Sequence, residues 1–263
     1  MLDWFFLFLG FSGLRARPIP DAIWAANLQH YPFLGDLPAA SQLRLRELAT
    51  GFLHRKEFSG AAGLTITDAM AVAIAAQACL PLLYMGDKAL KLYDDFKGIV
   101  VHPGAMLARR QRIDDAGVVH HYSEVLAGEA MDRGPVTLSW EDVIASGHLA
   151  NQGHNVVIHE FVHKIDMRDG AANGCPALGS RARRQAWQAV MAPAYERFRQ
   201  QTVMAERFGA ETPWLDSYGA QSPVEFFAVA AEAYFVNRSR FTQDFADVAT
   251  LFDGFFGAPR RYV

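Results

Sequence analysis

The most constraining feature of the sequence is an apolar run that is interrupted by two histidines and a glutamate. Residues 155–166 read NVVIHEFVHKID, so His159, Glu160 and His163 form the pattern HExxH. On a helix, positions i and i+4 lie about one turn apart on the same face. Both imidazoles can therefore reach one zinc ion at the roughly 2.0–2.1 Å of zinc–nitrogen bonds. The flanking valines and isoleucines predict a helix that is buried on much of its circumference.

The same segment contains the acid–base group that a metal-dependent hydrolase needs beside its ligands. Glu160 directly follows the first histidine, so its carboxylate can act as general base toward a water molecule that the metal activates. The alternative is that His159 and His163 lie on the surface of an amphipathic helix and bind nothing. The apolar flanks argue against this alternative, and we therefore expect a zinc hydrolase.

A catalytic zinc usually has three protein ligands and one open position, so a third ligand must come from elsewhere in the chain. The extended pattern HExxHxxGxxH is absent, because Asp166 and Asp169 stand where its glycine and its last histidine would be. This excludes a metzincin. The remaining candidates are Asp166 on the same helix and two later carboxylates, Glu225 and Glu232. Their spacing of seven residues places these two on one face of a helix.

Each acidic candidate also has an alternative role. Glu225 stands three residues after Ser222 in a capping box, so from the residues alone its roles as cap and as ligand are nearly even. Glu232 lies among alanines and aromatic residues, either as a ligand or as a hydrogen-bond acceptor for a zinc-bound imidazole. Asp166 and Asn155 are candidates to orient the imidazoles, or else polar groups on the helix surface.

Composition excludes several classes of protein. The 263 residues include 25 lysines and arginines and 28 acidic residues, which argues against a nucleic-acid binder that depends on a basic field. Cys79 and Cys175 are too few for a disulfide framework and fit a reducing compartment, so we expect a cytoplasmic protein. The apolar run Trp4–Leu9 lacks the preceding positive charge of a secretory signal and is too short to span a membrane. We expect this run to pack against the domain.

Hydrophobic patterning predicts an α+β fold. Short β-branched and aromatic stretches between residues 98 and 140 predict a small antiparallel or mixed sheet, and the chain that follows reads as helical. Because the strands are grouped before the helices, an α+β fold is favoured over an alternating α/β fold. The first 36 residues look irregular. The predicted helices cover 38–54, the apolar run 69–84 with a kink at Pro81, 150–168, 180–207, a segment after Ser222-Pro223, and 242–255.

Two segments together resemble the Mlc titration factor A family of bacterial zinc-dependent peptidases. One is GHNVVIHEFVHKIDMRDG, around the two histidines, and the other is DSYGAQSPVEFFAVAAEAYF, about sixty residues later. The segment GPVTLSWEDV resembles the strand that precedes the zinc helix in that family. The zinc site is also similar to that of the anthrax lethal factor catalytic domain. The resemblance is clear over about residues 95–240.

The resemblance implies a zincin-like metallopeptidase domain of the gluzincin type, with a small sheet followed by the HExxH helix and further helices. It implies that His159, His163 and Glu225 bind Zn²⁺, that Glu160 is the catalytic base and that Tyr218 assists catalysis. A phenol titrates near pH 10 and is therefore protonated at neutral pH, so the tyrosine is suited to donate to a developing oxyanion. From the residues alone this tyrosine would be assigned to the core.

Three functions remain open on this basis. The resemblance implies a peptidase that acts on short peptides with aminopeptidase-like cleavage. The alternative is a regulatory binding protein that sequesters a transcriptional repressor of sugar uptake, with hydrolysis secondary. A third possibility is another zinc hydrolase, such as an amidase. The presence of both Glu160 and Tyr218 favours activity, because a purely structural zinc site needs neither. The expected partners are peptide substrates and, under the alternative, a repressor protein, without nucleic acid or membrane.

We expect one compact unit with two parts. Residues 1–95 form a mainly helical amino-terminal region that packs on the core, and residues 96–263 form the zincin-like catalytic core. Within that core, residues 134–140 precede the zinc helix and are expected to form an edge strand that pairs with extended substrate backbone.

Overall fold

A computed structural model of the chain describes residues 17–113 and 119–257. The apolar run Trp4–Leu9 lies outside the described residues, so its packing stays a prediction. Among the helices that the structure describes, none has both the length and the hydropathy needed to cross a lipid bilayer.

The described part of the amino-terminal region contains four α-helices. The expectation that residues up to 36 are irregular is wrong for the part described, because two helices lie there. The prolines that suggested irregularity stand before the first helix or at the first position of the second, where no backbone N–H is required. The four helices are α1 (Asp21–His30), α2 (Pro32–Gly35), α3 (Ala39–Leu53) and α4 (Asp68–Cys79).

Helix α4 is the predicted buried helix. Thr67 caps its first turn by accepting a hydrogen bond from the N–H of Met70. The residues from Met70 to Cys79 are all buried, which fits the apolar run of the sequence. The predicted kink at Pro81 is instead the end of the α-helix, because a short 3-10 turn, Leu80–Leu82, follows at once. A proline here removes one helical hydrogen bond and crowds the preceding turn.

The strands form one mixed sheet and one separate hairpin. The main sheet has the order β1-β2-β6-β5, in which the first three strands are parallel and β5 is antiparallel to β6. A mixed sheet between residues 98 and 140 is thus confirmed, whereas β1 was not predicted. The hairpin consists of β3 and β4. The strands are β1 (Glu57–Gly60), β2 (Gly98–His102), β3 (Met106–Ile113), β4 (Val119–Leu126), β5 (Gly128–Ala130) and β6 (Val136–Ser139).

The expectation that residues 134–140 form an edge strand is wrong. Strand β6 has neighbours on both sides, since Val136 is in register with Ile99 of β2 and with Ala130 of β5. The edge nearest the predicted zinc helix is the three-residue strand β5. Single-sequence reasoning missed it because Gly128 and Glu129 have little strand preference of their own.

Within the described residues six α-helices follow the sheet, as the grouping of elements predicts. The helices expected over 180–207 and after Ser222-Pro223 are confirmed. The helix expected over 150–168 begins later, at Val156, and the one expected over 242–255 is two helices that meet at Phe245. The six are α5 (Trp140–Leu149), α6 (Val156–Asp166), α7 (Arg181–Phe208), α8 (Pro223–Val236), α9 (Arg238–Asp244) and α10 (Ala246–Phe256).

Helix α6 lies at the centre of the molecule, where it contacts α4, α8, β5 and β6. Its residue Phe161 is fully buried, with ring centroids 5.5 Å from Phe52, 5.1 Å from Tyr93 and 5.9 Å from Phe96. Burying one such aromatic side chain stabilises a fold by about 1.5–3 kcal/mol. This aromatic cluster fixes α6 against the amino-terminal helices, so the polar residues of α6 have a rigid support.

Candidate metal centre

The two histidines of the HExxH pattern lie one above the other on α6. Asn155 begins the helix, because its side-chain oxygen accepts a hydrogen bond from the N–H of Ile158 at 2.8 Å. One turn later His159 and His163 bring their Nε2 atoms to 3.1 Å from each other, with ring planes at 83°. Both side chains are buried. The arrangement places two imidazole nitrogens at one point in the interior.

Glu225 completes this point from α8. Its Oε2 lies 3.1 Å from Nε2 of His159 and 3.3 Å from Nε2 of His163. The backbone of the same residue takes part in the cap, since its N–H donates to Oγ of Ser222 at 3.2 Å. The two roles that the sequence left open are therefore compatible: the backbone is capped by serine while the carboxylate faces the imidazoles.

The donor set fits a zinc-type ion. Two imidazole nitrogens and one carboxylate oxygen, all within 4.8 Å of one another, are the ligand types that catalytic zinc sites use. Burial alone would lower the pKa of His159 and raise that of Glu225, but their mutual contacts outweigh burial. The pKa of His159 is raised well above its ordinary value by Glu232 and Glu225. The pKa of Glu225 is held far below its usual range by hydrogen bonds with both imidazoles. Surroundings that favour a proton here also favour a metal cation.

Glu160 lies beside the three converging side chains and is 5% exposed. Burial raises the pKa of its carboxyl group, an effect that His159 and His163 partly offset. The carboxylate packs against the backbone of β5, where a Cβ added to Gly128 would lie 2.6 Å from Oε1 of Glu160. This close approach was not predictable from the sequence, because it arises only when β5 and α6 pack together.

Glu232, for which the sequence left two roles open, hydrogen-bonds with His159. Its Oε1 lies 2.7 Å from Nδ1 of that imidazole, on the ring edge opposite the converging Nε2 atoms. Its other oxygen accepts the backbone N–H of Asn155. Glu232 is therefore the hydrogen-bond acceptor for His159, one of the two roles that the sequence left open. It is not a member of the cluster of His159, His163 and Glu225.

Tyr218 lies next to the cluster, with its ring centroid 5.9 Å from that of His159. It belongs to a short 3-10 turn, Ser217–Ala220, in which Oδ1 of Asp216 accepts the N–H of Tyr218 at 2.9 Å. The other oxygen of Asp216 lies 3.1 Å from Nδ1 of His154, just ahead of α6. The turn that carries Tyr218 is thus tied to the start of the helix that carries the histidines.

Asp166 has a different role from the one proposed for it. Its Oδ2 accepts the backbone N–H groups of Asn173 and Gly174, at 2.8 Å and 2.7 Å. Within the described residues, its Oδ1 and Nδ1 of His163 are both buried without a hydrogen-bond partner. Asp166 therefore fixes the loop that follows α6, and it makes no direct hydrogen bond with either imidazole among the contacts that the structure describes.

Comparisons with known proteins identify relatives of this chain. The chain is 36% identical over 224 residues to an uncharacterized protein of Synechocystis sp., covering 84% of this chain and 78% of that protein. It is 33% identical over 205 residues to Mlc titration factor A of Yersinia pestis and of Yersinia pseudotuberculosis, covering 78% of this chain and 73% of each relative. The profile of the glucose-regulated metallo-peptidase M90 family matches residues 12–257, and the chain belongs to that family.

Proposed function

We propose that the protein is a zinc-dependent metallopeptidase that hydrolyses short peptides in an aminopeptidase-like manner. The observation that carries the proposal is the convergence of His159, His163 and Glu225 beside the buried carboxylate of Glu160. Membership of a metallopeptidase family supports the reaction class. We retain a cytoplasmic location, and a zincin-like core of residues 96–263 on which the helical region 1–95 packs, as parts of the proposal.

The three converging side chains would hold the zinc ion. When bound, such an ion supplies Lewis acidity, which polarises a carbonyl group and lowers the pKa of water. Glu160 takes the proton of the attacking water and later delivers it to the leaving amine. Its buried position keeps bulk water from taking part in these proton transfers. The phenolic hydroxyl of Tyr218 donates a hydrogen bond to the oxyanion that forms on the substrate.

Strand β5 is the element best placed to align the substrate backbone. The bonds from Ser139 N to Ala127 O and from Met131 N to Pro135 O show which residues pair with β6. The backbone groups of the alternate residues, Gly128 and Ala130, therefore face away from β6, and no described strand pairs with them there. An extended peptide that added to this edge would pass the Glu160 carboxylate, which contacts Gly128.

The decisive experiment combines metal analysis with one substitution. Purified wild-type protein should contain zinc, and Glu160→Gln should retain it while kcat for a chromogenic amino-acid amide falls by about 10²–10⁴-fold, since only the proton carrier is lost. Glu57→Gln, on the exposed start of β1, is the matched control and should change neither property. Full hydrolysis by a zinc-loaded Glu160→Gln protein would overturn the proposed mechanism.

The aminopeptidase-like preference has its own test. A pair of peptides that differ only in acetylation of the amino terminus should be cleaved unequally, with the free form preferred. Equal cleavage of both peptides would indicate an endopeptidase, and would leave the zinc chemistry intact while removing the aminopeptidase assignment.

A second candidate function is regulatory binding. The name of the Yersinia relatives, Mlc titration factor A, favours binding of a repressor, and the family resemblance implies that it is a transcriptional repressor of sugar uptake, with hydrolysis secondary. The inactive Glu160→Gln protein is the appropriate bait for a pull-down from the native host, because it cannot degrade what it captures. Recovery of a repressor would support this candidate, and its absence from a pull-down that recovers added peptide would count against it.

A further inference from the structure

Helix α4 is apolar from Met70 to Cys79 except for one fully buried amide, Gln77. A buried amide is costly unless its donor and acceptor atoms are both paired. Its Nε2 donates to the carbonyl of Ala73, one turn earlier, at 3.1 Å, and the side chain also interacts with the hydroxyl of Tyr31. Its Oε1 accepts from Nδ2 of Asn155 at 2.8 Å. The acceptor of Gln77 is therefore paired with Asn155, the residue that begins the helix of the two histidines.

Asn155 connects Gln77 to the metal centre through three separate groups. Its Oδ1 accepts the N–H of Ile158 and caps α6, and its backbone N–H donates to Oε2 of Glu232. Its Nδ2 donates to Gln77. Because an amide can be turned over with little change in shape, the bonds to Ile158 and to Gln77 together decide which end of the Asn155 amide faces α6.

Glu232 carries the connection to the first histidine. Its remaining oxygen lies 2.7 Å from Nδ1 of His159. A carboxylate at this position keeps the proton on Nδ1, which leaves the lone pair of Nε2 for a metal and fixes the plane of the ring. Four buried residues from three helices, Gln77, Asn155, Glu232 and His159, thus form one unbroken hydrogen-bonded chain.

We propose that Gln77 is a positioning residue of the zinc site, acting through Asn155 and Glu232 on His159. The inference rests on the proposed function, since it presumes that zinc binds at His159. Without the acceptor of Gln77, the Asn155 amide loses one of the two bonds that orient it and keeps only the cap bond from Ile158. The carboxylate of Glu232 then loses the fixed position of one of its two donors, and the imidazole is held less firmly. The competing explanation is that Gln77 only satisfies its own burial and stabilises α4.

The test compares zinc affinity with stability. Gln77→Met keeps the length and burial of the side chain but removes its hydrogen bonds with Ala73, Asn155 and Tyr31. Ile74→Val, at a fully buried position of the same helix, is the control for a loss of packing alone. Zinc affinity is measured by competition with a chromogenic chelator, and thermal unfolding is measured on the metal-free proteins. Gln77→Met should weaken zinc binding by about 10-fold or more, in the range found for residues that orient metal ligands. Ile74→Val should lower only the unfolding temperature.

Two further variants keep the proposal falsifiable if Gln77→Met does not fold. Asn155→Ser retains a good helix cap but loses the donor to Gln77, and should weaken zinc binding similarly. Gln77→Glu retains an acceptor for Asn155 and should recover most of the affinity. Unchanged zinc affinity in Gln77→Met and Asn155→Ser, with wild-type protein that binds zinc, would overturn this inference alone. Wild-type protein that binds no zinc would overturn the proposed function as well.

Discussion

Helix α6 carries two adjacent buried polar residues, His163 and Lys164, and they differ in their hydrogen-bond partners. His163 belongs to the cluster in which two imidazoles and Glu225 converge. The adjacent Lys164 is fully buried as well, but its ammonium group donates to the carbonyls of Met131 and Gly134. It also lies 4.6 Å from the ring of Phe96. Burial and charge alone do not distinguish the two environments.

The distinguishing property is the balance between donors and acceptors. Around Phe96, a second buried lysine, Lys56, donates to the carbonyls of Tyr93 and Phe96, so each ammonium group has its own acceptors. This pair of lysines, Lys56 and Lys164, acts as a structural clamp. In the histidine cluster two ring nitrogens and one carboxylate oxygen converge on each other, and they can share either a proton or a metal cation. Substitutions in the histidine cluster should therefore change zinc affinity, and substitutions in the lysine clamp should change stability.

The largest expected effect is on zinc binding, from His163→Ala. Loss of one of three ligands should weaken zinc affinity by more than about 100-fold, since even residues that only orient ligands contribute 10–100-fold. The metal-free protein should still fold but unfold at a lower temperature, because the substitution leaves a small cavity and removes the contact with Glu225, while the packing of Phe161 stays intact. Chelator competition and thermal unfolding measure the two quantities. Wild-type affinity in the variant would exclude the histidine as a ligand.

The next largest effect is expected from Gly128→Ala. The added Cβ would lie 2.6–2.9 Å from atoms of the Glu160 side chain, so the carboxylate must move. A displacement of about 1 Å can reduce a rate by about 10²-fold, and we expect kcat to fall by that order while zinc stays bound.

Gly147→Ala is the matched control for this substitution. Its added Cβ would lie 2.4 Å from the carbonyl oxygen of His30, which is an equally crowded contact that involves none of the site residues. Both variants should lose stability, but only Gly128→Ala should lose kcat. A zinc-loaded Gly128→Ala protein with wild-type kcat would show that the position of Glu160 does not depend on β5.

The sequence predicted the parts of this site that depend on local spacing. His159 and His163 meet because they are four residues apart on one helix, and the Ser222-Pro223 cap predicts where α8 begins. The contacts of Gly128 and Gln77 could not be predicted, since both depend on how distant elements pack. The one available signal was that Gln77 interrupts an apolar run. A polar residue in such a run needs a buried partner, but the sequence does not say which.

Lys164→Met should separate the clamp from the metal centre. The substitution keeps the apolar stem but leaves the carbonyls of Met131 and Gly134 without their donor, at a cost of about 1–3 kcal/mol in the free energy of unfolding. Zinc affinity should stay unchanged, although the residue is adjacent to His163. Denaturant unfolding and chelator competition measure the two effects. Lys91→Met, at an exposed position, should change neither by a measurable amount. A loss of zinc affinity would show that the clamp also orients the ligands.

The smallest expected effect concerns the pair that ties the Tyr218 turn to α6. The hydrogen bond with Asp216 raises the pKa of His154, against the opposite effect of burial. The pKa of Asp216 is lowered, because its bonds with His154 and the N–H of Tyr218 outweigh burial. A histidine with a raised pKa contributes its full stabilisation below its unfolded pKa, near 6.5, and loses it as the pH rises through the folded value. An aspartate with a lowered pKa contributes above about 3.9 and loses that contribution in acid.

The pair should therefore stabilise the fold most between about pH 4 and 6.5. We expect His154→Gln to lower the free energy of unfolding of the metal-free protein at pH 5.5 by less than about 1 kcal/mol, because both side chains are about one third exposed. At pH 8.5 the difference from wild type should shrink. His148→Gln, at an exposed position of α5, serves as the control. Urea unfolding at the two pH values measures the effect, and a difference that does not change with pH would mean that the contact holds the Tyr218 turn without a contribution from charge.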